Sequence, residues 1–528
     1  LLQRKQPVPE LKNGAFAMNE RTKSSGLKSS VPGLFSWRML LWSSLLIGLA
    51  ARIIGAFDDG IFWPDEIYQS FEPAHALVFG YGLLSWEYVE GARTWAMPGL
   101  VAAILKVCVL SGLDTPEFYV RVVKIIFAVA GVVAALGVYR LAMAFGASKE
   151  GATASAALWS FASLAVYFAP RAMSENASLV AVVWGLALLF ERRSPAPLRV
   201  LLASSLLGIA VLLRLQCALF VLGVVPVLAA GRQWRTLWYS LLGLGAWAVI
   251  YGALDAVTWH HLPDVKWGGW FHSAFVYLRF NIIENGAKKW GSAPWHFYPY
   301  HLFSSMPAVS LVLLFGLAGA LWRRAWVLPS LFTIFVVAHM ISPHKEIRFI
   351  VPALPLAAAC VGVALRGARH RMAPALLVVA FGLISLAQTP FLTMGKLGAY
   401  LDRPESSAWG DFAAANRLLM EAGKRDDICG IRVDVVDMAW VGGATYLHRE
   451  VPLYRPGEPV EGLHFNYILA RDGLTQYEKV ASKRGVALYR LPWSCVPDHG
   501  FPWQLEKPGW RESAQPGMLQ VNSTNLCF

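Results

Sequence analysis

Three stretches of the chain combine residue types that can do chemistry. Trp63-Pro64-Asp65-Glu66-Ile67-Tyr68-Gln69-Ser70-Phe71-Glu72 places two adjacent carboxylates a few residues beyond an apolar run, with Gln69 and Glu72 following. Such a carboxylate can serve as the general base that takes the proton of an attacking hydroxyl. The same residues also fit an ordinary helix start, with proline at its first position and acids in the first turn. The second stretch is Phe280-Asn281, Asn285-Gly286 and Trp290-Gly291-Ser292-Ala293-Pro294-Trp295-His296-Phe297-Tyr298. Aromatics interleaved with His296 and with Asn281 and Asn285 suit a sugar or a lipid headgroup, since rings stack on the C–H face of a sugar while amides bond its hydroxyls. An interfacial aromatic belt accounts for Trp295 and Tyr298 as well, but not for His296 between them. The third stretch is Ser342-Pro343-His344-Lys345-Glu346-Ile347-Arg348-Phe349. It suits a phosphate, with Lys345 as a point charge, Arg348 as a fork, His344 as a donor and Glu346 orienting them. A salt-bridged cap between two helices is the plainer reading. Arg214, among apolar residues, is either a further phosphate contact or a snorkelling side chain. Asp255, and Arg171 with Glu175, are lesser candidates.

These residues must be positioned by membrane-embedded elements. Of 528 residues, 56% are hydrophobic and 15% charged, and the mean hydropathy is +0.45. That excludes a disordered chain, a coiled coil and an ordinary cytosolic enzyme. Apolar runs lie at 36–57, 121–143, 151–169, 175–190, 198–213, 215–230, 236–256, 302–321, 325–341, 348–365 and 373–391. Each approaches the roughly 20 residues that span hydrocarbon. They predict about 11 transmembrane helices (11–13) in a mostly α, polytopic membrane protein. A further run, 95–112, carries Lys106 and Pro98 and is read as re-entrant or interfacial, because a full crossing would reverse the charge pattern. The 47 basic and 34 acidic residues give a net charge of +13. The excess sits in short connections such as Arg192/Arg193/Arg199, Arg323/Arg324 and Arg366/Arg369/Arg371, the pattern of cytoplasmic loops. This speaks against a nucleic-acid partner and places the N-terminus inside. All three motif stretches then fall on the non-cytoplasmic face.

Residues 1–35 read as a disordered cytoplasmic tail, with Met18 as an alternative start and 36–57 as a start-anchor helix. Residues 36–395 read as the transmembrane domain, which holds the three motif stretches. Residues 396–528 lose the membrane composition and show strand-like runs at Ile428–Val436, Phe465–Ala470 and Val486–Leu491, predicting a small non-cytoplasmic α/β domain. Six cysteines, with no CxxC pair, indicate neither a disulfide scaffold nor a metal site. Cys108, Cys217 and Cys360 read as packing residues. Of Cys429, Cys495 and Cys527, facing an oxidising compartment, one pair can be bridged. Asn522-Ser523-Thr524 fits a glycosylation sequon.

The order of the motifs is more specific than any one of them. Pro64-Asp65-Glu66, the Phe280–Tyr298 loop, and His344-Lys345-Glu346-Ile347-Arg348-Phe349 with Pro352-Ala353-Leu354-Pro355 together resemble the dolichyl-phosphate-mannose-dependent mannosyltransferases of glycosyltransferase family 22, most nearly the branch adding the third mannose of GPI precursors. The likeness covers about 36–395. It departs at Trp63, where the family commonly has His, and at Ala293 and Phe297 in the aromatic loop. The alanine- and arginine-rich style reads as bacterial, which implies an inner membrane, or the endoplasmic reticulum in a eukaryote.

The resemblance implies a GT-C-type bundle and an inverting α-mannosyltransferase. The donor would be a dolichyl- or polyprenyl-phosphate mannose and the acceptor a lipid-linked glycan, GPI-precursor-like or from the envelope. No metal or other cofactor is expected. In this reading Asp65 is the base and Glu66 its neighbour in catalysis. His344, Lys345, Arg348 and Arg214 bind the donor phosphate. Gln69, Glu72, Asn281, Asn285, Trp295, His296, Tyr298 and Glu346 bind substrate. The rival readings are a flippase for a polyprenyl-linked glycan, which would want ionisable groups at the membrane midplane in paired halves, and a related transferase using another lipid-phosphate sugar.

Overall fold

The computed structural model describes residues 36–505 except 193–194, 264, 369–370, 400–403, 457 and 459–463. The tail 1–35, Arg193, Arg369, the sequon at Asn522 and Cys527 lie outside the described residues.

Among the described residues, five helices are long and apolar enough to cross a membrane by length and composition: Trp37–Ala56, Pro116–Ala144, Trp234–Trp259, Ile347–Ala364 and Met372–Phe391. Six apolar helices are shorter, Ala96–Leu110 among them. Proline and local breaks explain much of the difference from the expected runs. The run 302–321 divides at Met306 into Phe297–Ser305 and Pro307–Trp322, with Pro307 opening the second helix. The run 151–169 divides at Ala162, whose ψ of 125° is not helical, into Lys149–Phe161 and Ser163–Phe168. The run 95–112 is a single 15-residue helix. At about 1.5 Å per residue it is shorter than the hydrocarbon core.

Lys149–Phe161 is the axis of the bundle. Every residue from 151 to 176 is buried, and the helix packs against Trp37–Ala56, Pro116–Ala144, Leu354–Ala364 and Met372–Gln388. Small side chains permit this close approach, as in membrane helix pairs generally. A Cβ on Gly151 would stand 2.7 Å from the carbonyl oxygen of Gly362, and a Cβ on Gly362 equally close to that of Gly151. Ser155 Oγ accepts the Gly362 N–H at 2.8 Å. Burial separates inner from outward-facing helices: 89% of the apolar window is buried in Ile347–Ala364 and 22% in Trp234–Trp259.

The C-terminal part carries a five-stranded mixed sheet. Its strands are β1 (Ile431–Val433), β2 (Leu453–Tyr454), β3 (Tyr467–Arg471), β4 (Glu478–Lys483) and β5 (Val486–Arg490), in the order β2-β1-β3-β5-β4. β1 pairs in parallel with β2 and β3, and the β3–β5 and β4–β5 pairs are antiparallel. The three expected strands are β1, β3 and β5. β2 has two residues and β4 is largely exposed, so neither shows an apolar run. Cys429 and Cys495 are disulfide-bonded.

This sheet has no core of its own on its inner side. Ile431, Val433, Leu469 and Leu488 share one apolar cluster with Ile61, Ile67, Phe71, Leu105 and Val123 from the membrane-proximal segments. Tyr68 donates its hydroxyl to the Met438 and Val441 carbonyls at 2.5 and 3.1 Å. The acid-rich connection 58–94 is therefore clamped between bundle and sheet.

Candidate active site

Pro64 opens a short helix, Pro64–Glu66, that passes into a π-helical turn, Ile67–Phe71. Adjacent residues on a helix diverge by about 100°, and Asp65 and Glu66 accordingly face different surroundings. Glu66 turns inward and is fully buried, taking Arg171 Nη1 at 3.1 Å and Lys124 Nζ at 3.8 Å. Asp65 turns to the open side, where Arg348 Nη1 reaches its Oδ2 at 2.6 Å.

Arg348 joins the first and third motifs. Its Nε and Nη2 donate to the two oxygens of Glu346 at 2.6 and 3.0 Å, and Nη1 is shared between Asp65 and Glu175 Oε1 at 3.0 Å. Glu175 in turn takes Arg214 Nη1 at 2.9 Å. His344 Nε2 meets Glu346 Oε1 at 2.9 Å. Burial alone would raise the Glu346 carboxyl, but the Arg348 guanidinium and the His344 ring hold it well below the usual carboxylate range. The guanidinium of Arg348 lies 5.5 Å from the Trp63 ring centre, and the Trp63 indole N–H donates to Tyr167 at 3.1 Å. Trp63 thus supplies a cation–π platform for Arg348. Side-chain exposure separates the carboxylates: 23% for Asp65, 10% for Glu346, 2% for Glu175 and none for Glu66. Asp65 is the member of this network with an open face.

The second motif docks on the third through backbone. The Ala293 N–H donates to the Pro343 carbonyl at 2.9 Å, and Lys345 Nζ donates to the carbonyls of Ala293 and Ser342 at 2.8 and 2.6 Å. The Lys345 ammonium therefore ties two loops together, and burial lowers its pKa. Tyr298 is fully buried with its hydroxyl unpaired, within electrostatic reach of Glu346, Arg214 and Arg348. Asn281 donates to the Tyr277 carbonyl one turn back at 3.0 Å. Asn285 is exposed in the left-handed region at φ 52°, which asparagine tolerates. Trp295 and His296 are exposed, Trp295 by 71%.

Glu72 is placed away from any surface. Its Oε1 accepts from the Thr445 N–H and hydroxyl, each at 2.6 Å, and Oε2 from the Leu83 N–H at 2.6 Å. Burial pushes the carboxyl up to about 7 against the pull of these donors. Gly443, at φ +58°, makes the approach possible, since a Cβ there would lie 2.7 Å from the Glu72 carboxyl carbon. Glu72 fastens the acidic connection to the C-terminal part. Gln69 donates to Glu87 Oε1 at 2.9 Å. Burial raises the half-buried Glu87 carboxyl, Arg93 opposes the rise and Asp65 adds to it. Glu175, Glu87 and Arg93 are thus site members that motif reading left aside or ranked low. The surplus of acids around the lone Arg93 was the available signal. Among the described residues no group of three or more His, Cys, Asp or Glu is placed to hold a metal.

Mannosyltransferase APTG1 of Arabidopsis thaliana is 26% identical over 323 residues, covering 59% of this chain and 56% of its own. GPI mannosyltransferase 3 of Yarrowia lipolytica is 28% identical, covering 60% of each chain. The human GPI alpha-1,2-mannosyltransferase 3 is 26% identical, covering 63% of this chain and 59% of its own. The chain thus spans less than two thirds of the length of the curated relatives it matches. Among solved structures, ArnT from Cupriavidus metallidurans bound to undecaprenyl phosphate superposes with a TM-score of 0.55 at 11% identity, covering 88% of this chain and 99% of that one. At that identity the likeness concerns the fold, a GT-C-type bundle. The Alg9-like mannosyltransferase model matches residues 43–398, which contain all three motifs and the network around Arg348, and the chain belongs to that family.

Proposed function

We propose that the chain is an inverting mannosyltransferase that moves mannose from a polyprenyl- or dolichyl-phosphate mannose to a hydroxyl of a lipid-linked glycan, on the non-cytoplasmic face of the membrane. Family membership and the relatives' names support the sugar and the reaction class. The observation that carries the mechanism is the open face of Asp65 within an otherwise buried acid–base network. Asp65 takes the proton of the acceptor hydroxyl as that oxygen bonds to C1 of mannose. The bond from C1 to the phosphate oxygen breaks on the opposite face, and the lipid phosphate leaves with the electron pair. The leaving group is already a phosphate and needs no strong acid. Basic side chains supply the charge stabilisation that Mg²⁺ gives elsewhere. Arg348 fixes the direction of Asp65, and Glu346 and Glu175 fix Arg348. Trp295 and His296 offer a platform at the rim for the acceptor glycan. The bundle to about residue 395 carries the chemistry. The C-terminal part holds the acidic connection through Glu72 and Tyr68, and the basic connections face the cytoplasm.

The test is transfer of mannose from synthetic polyprenyl-phosphate mannose to a panel of lipid-linked mannosyl acceptors, in detergent with EDTA. Wild-type protein is expected to transfer and Asp65→Asn to lose transfer while remaining folded. Near-normal transfer by Asp65→Asn would overturn the base assignment. Transfer from another lipid-phosphate sugar but not from mannose would overturn the donor.

A further inference from the structure

After β5 the chain runs back to the acidic connection as a strap, 491–505. Its root is covalent, because Cys495 is bonded to Cys429 at the entry to β1. Beyond the root, His464 Nδ1 donates to the Val496 carbonyl at 2.8 Å and the Tyr454 hydroxyl to Asp498 Oδ2 at 2.9 Å. Phe501, Trp503 and Leu505 then pack on the apolar cluster that sheet and bundle share. The Trp503 ring lies edge-on to Phe501 at 5.1 Å between centres and against Tyr81 at 5.5 Å. Leu84 is held on both sides of its backbone. Its N–H donates to the Trp503 carbonyl at 3.0 Å, and its carbonyl accepts the Leu505 N–H at 2.8 Å, which makes a one-residue parallel bridge. Directly after Leu84 comes the helical turn Trp86–Val89, which joins two motifs. Trp86 packs on Phe280 of the second motif at 4.7 Å between ring centres. Glu87 accepts from Gln69 of the first at 2.9 Å and lies within electrostatic reach of Asp65. Glu72 and Tyr68 fasten the first half of the connection, and the strap fastens the second.

We propose that Trp503 and Leu505 of this strap are positioning residues of the active site, which act through Leu84 to hold the turn Trp86–Val89 ready for the acceptor. The proposal rests on the mannosyltransferase reading for the identity of that acceptor. It gives the C-terminal part a share in substrate binding. A segment that is not placed in advance must be ordered by the substrate, and that cost is drawn from binding energy rather than from the chemical step. Trp86 and Glu87 follow Leu84 so closely that a shift at the bridge reaches both through the chain. Asp65 is held by Arg348 instead, so the base keeps its direction when the strap is loosened. Loosening the strap therefore raises KM for the acceptor and leaves kcat. The disulfide shortens the free run of chain between the sheet and Leu84, and so lowers the entropy lost when the strap closes.

The experiment uses the full chain in nanodiscs and four variants. Leu505→Pro removes the N–H given to Leu84, and Leu505→Ala keeps it. Trp503→Ala removes the ring, and Trp503→Phe keeps one. Amide hydrogen exchange of the resting protein is read by mass spectrometry over 83–93 and over 64–72. Mannose transfer is measured from polyprenyl-phosphate mannose against rising concentrations of a lipid-linked mannosyl acceptor. Leu505→Pro and Trp503→Ala are expected to speed exchange over 83–93 about tenfold while 64–72 keeps its rate. They should raise KM for the acceptor about tenfold, with kcat held and the melting temperature changed little. Leu505→Ala and Trp503→Phe should stay close to wild type. If Leu505→Pro does not fold, the Trp503 pair is read beside Cys429→Ser/Cys495→Ser, which frees the root and should move exchange and KM in the same direction. Unchanged exchange over 83–93 would overturn the hold on Leu84. A kcat that falls in step with the melting temperature while KM stays put would make the strap a brace and overturn its positioning role. The two readings fail separately. Faster exchange over 83–93 in a protein that transfers no mannose would sink the transferase reading and uphold the strap. Mannose transfer with an unchanged acceptor KM in Trp503→Ala would sink the strap and leave the transferase.

Discussion

The segment Trp63–Phe71 and the loop Phe280–Tyr298 both carry chemically capable residues, and the fold treats them in opposite ways. The first is enclosed: Glu66 is fully buried, Tyr68 is bonded to the C-terminal part, and Asp65 alone keeps an open face. The second is anchored by Phe280, Ala293 and Tyr298 while Asn285, Trp295 and His296 remain at the surface. Charged groups close to a membrane must be paired to be tolerated, so the acidic segment recruits Arg171, Lys124 and Arg348. Aromatic and amide groups carry no such demand and can stay out where a substrate passes. One region fixes the reacting geometry, and the other offers a face.

The largest effects should come from dividing the two carboxylates. Asp65→Asn should lower transfer by about 10²- to 10⁴-fold with the melting temperature nearly unchanged. Glu66→Gln should lose folded protein, since leaving one partner of a buried ion pair uncompensated costs about 3–5 kcal/mol. Thermal unfolding in detergent beside the transfer assay reads both, and a Glu66→Gln protein as stable as wild type would break the contrast. Arg348→Lys comes next. It keeps a charge but loses the fork onto Glu346, and we expect kcat to drop by about tenfold, or roughly 1.4 kcal/mol of barrier. A purely structural role for Arg348 would instead lower the melting temperature in step with kcat.

The enclosed region should also show in the pH dependence of stability. Glu72 titrates at about 7 in the folded protein and near about 4.3 when unfolded. Its folded pKa is the higher, so its contribution is full below about pH 4.3 and is lost as pH rises through about 7. The melting temperature should therefore fall between pH 5 and pH 8, and Glu72→Gln should flatten that fall. An unchanged slope in the variant would place the titration elsewhere. The smallest effect is expected at the open face. Trp295→Ala should raise KM for the acceptor about fivefold, or roughly 1 kcal/mol, with kcat and melting temperature unchanged. A fall in kcat instead would make that loop part of the reacting geometry.

Much of this was legible in the residues. The apolar runs locate most helices, and three of the five strands follow from short apolar stretches. The three motifs meet in space, Asp65 with Arg348 and Ala293 with Lys345. What the sequence could not give was direction. Pro64-Asp65-Glu66 reads the same whichever carboxylate faces out, and only helix phase separates them. Glu72 looked like a fourth polar group of the motif, yet its partner Thr445 lies 373 residues away. Lys345 looked like a phosphate ligand because its backbone partners have no sequence signature. Arg93 was visible only as the single base among the acids of its connection.

The axial helix Lys149–Phe161 and its continuation bear on how the chain is made. Ser163 N–H is bonded to Ser385 Oγ, 222 residues further along the chain. At about 5–20 residues per second of synthesis, roughly 10 to 45 s pass between the emergence of these two residues. Throughout that interval a segment with no outward-facing side in the finished molecule must wait among lipids or insertion factors for the helices that will enclose it. Its serines and close-packing glycines, which serve the finished core, make it a poor lipid-facing surface meanwhile. The helices Leu354–Ala364 and Met372–Gln388 complete the enclosure of that segment, and a nascent chain arrested before residue 354 would leave one side of it uncovered.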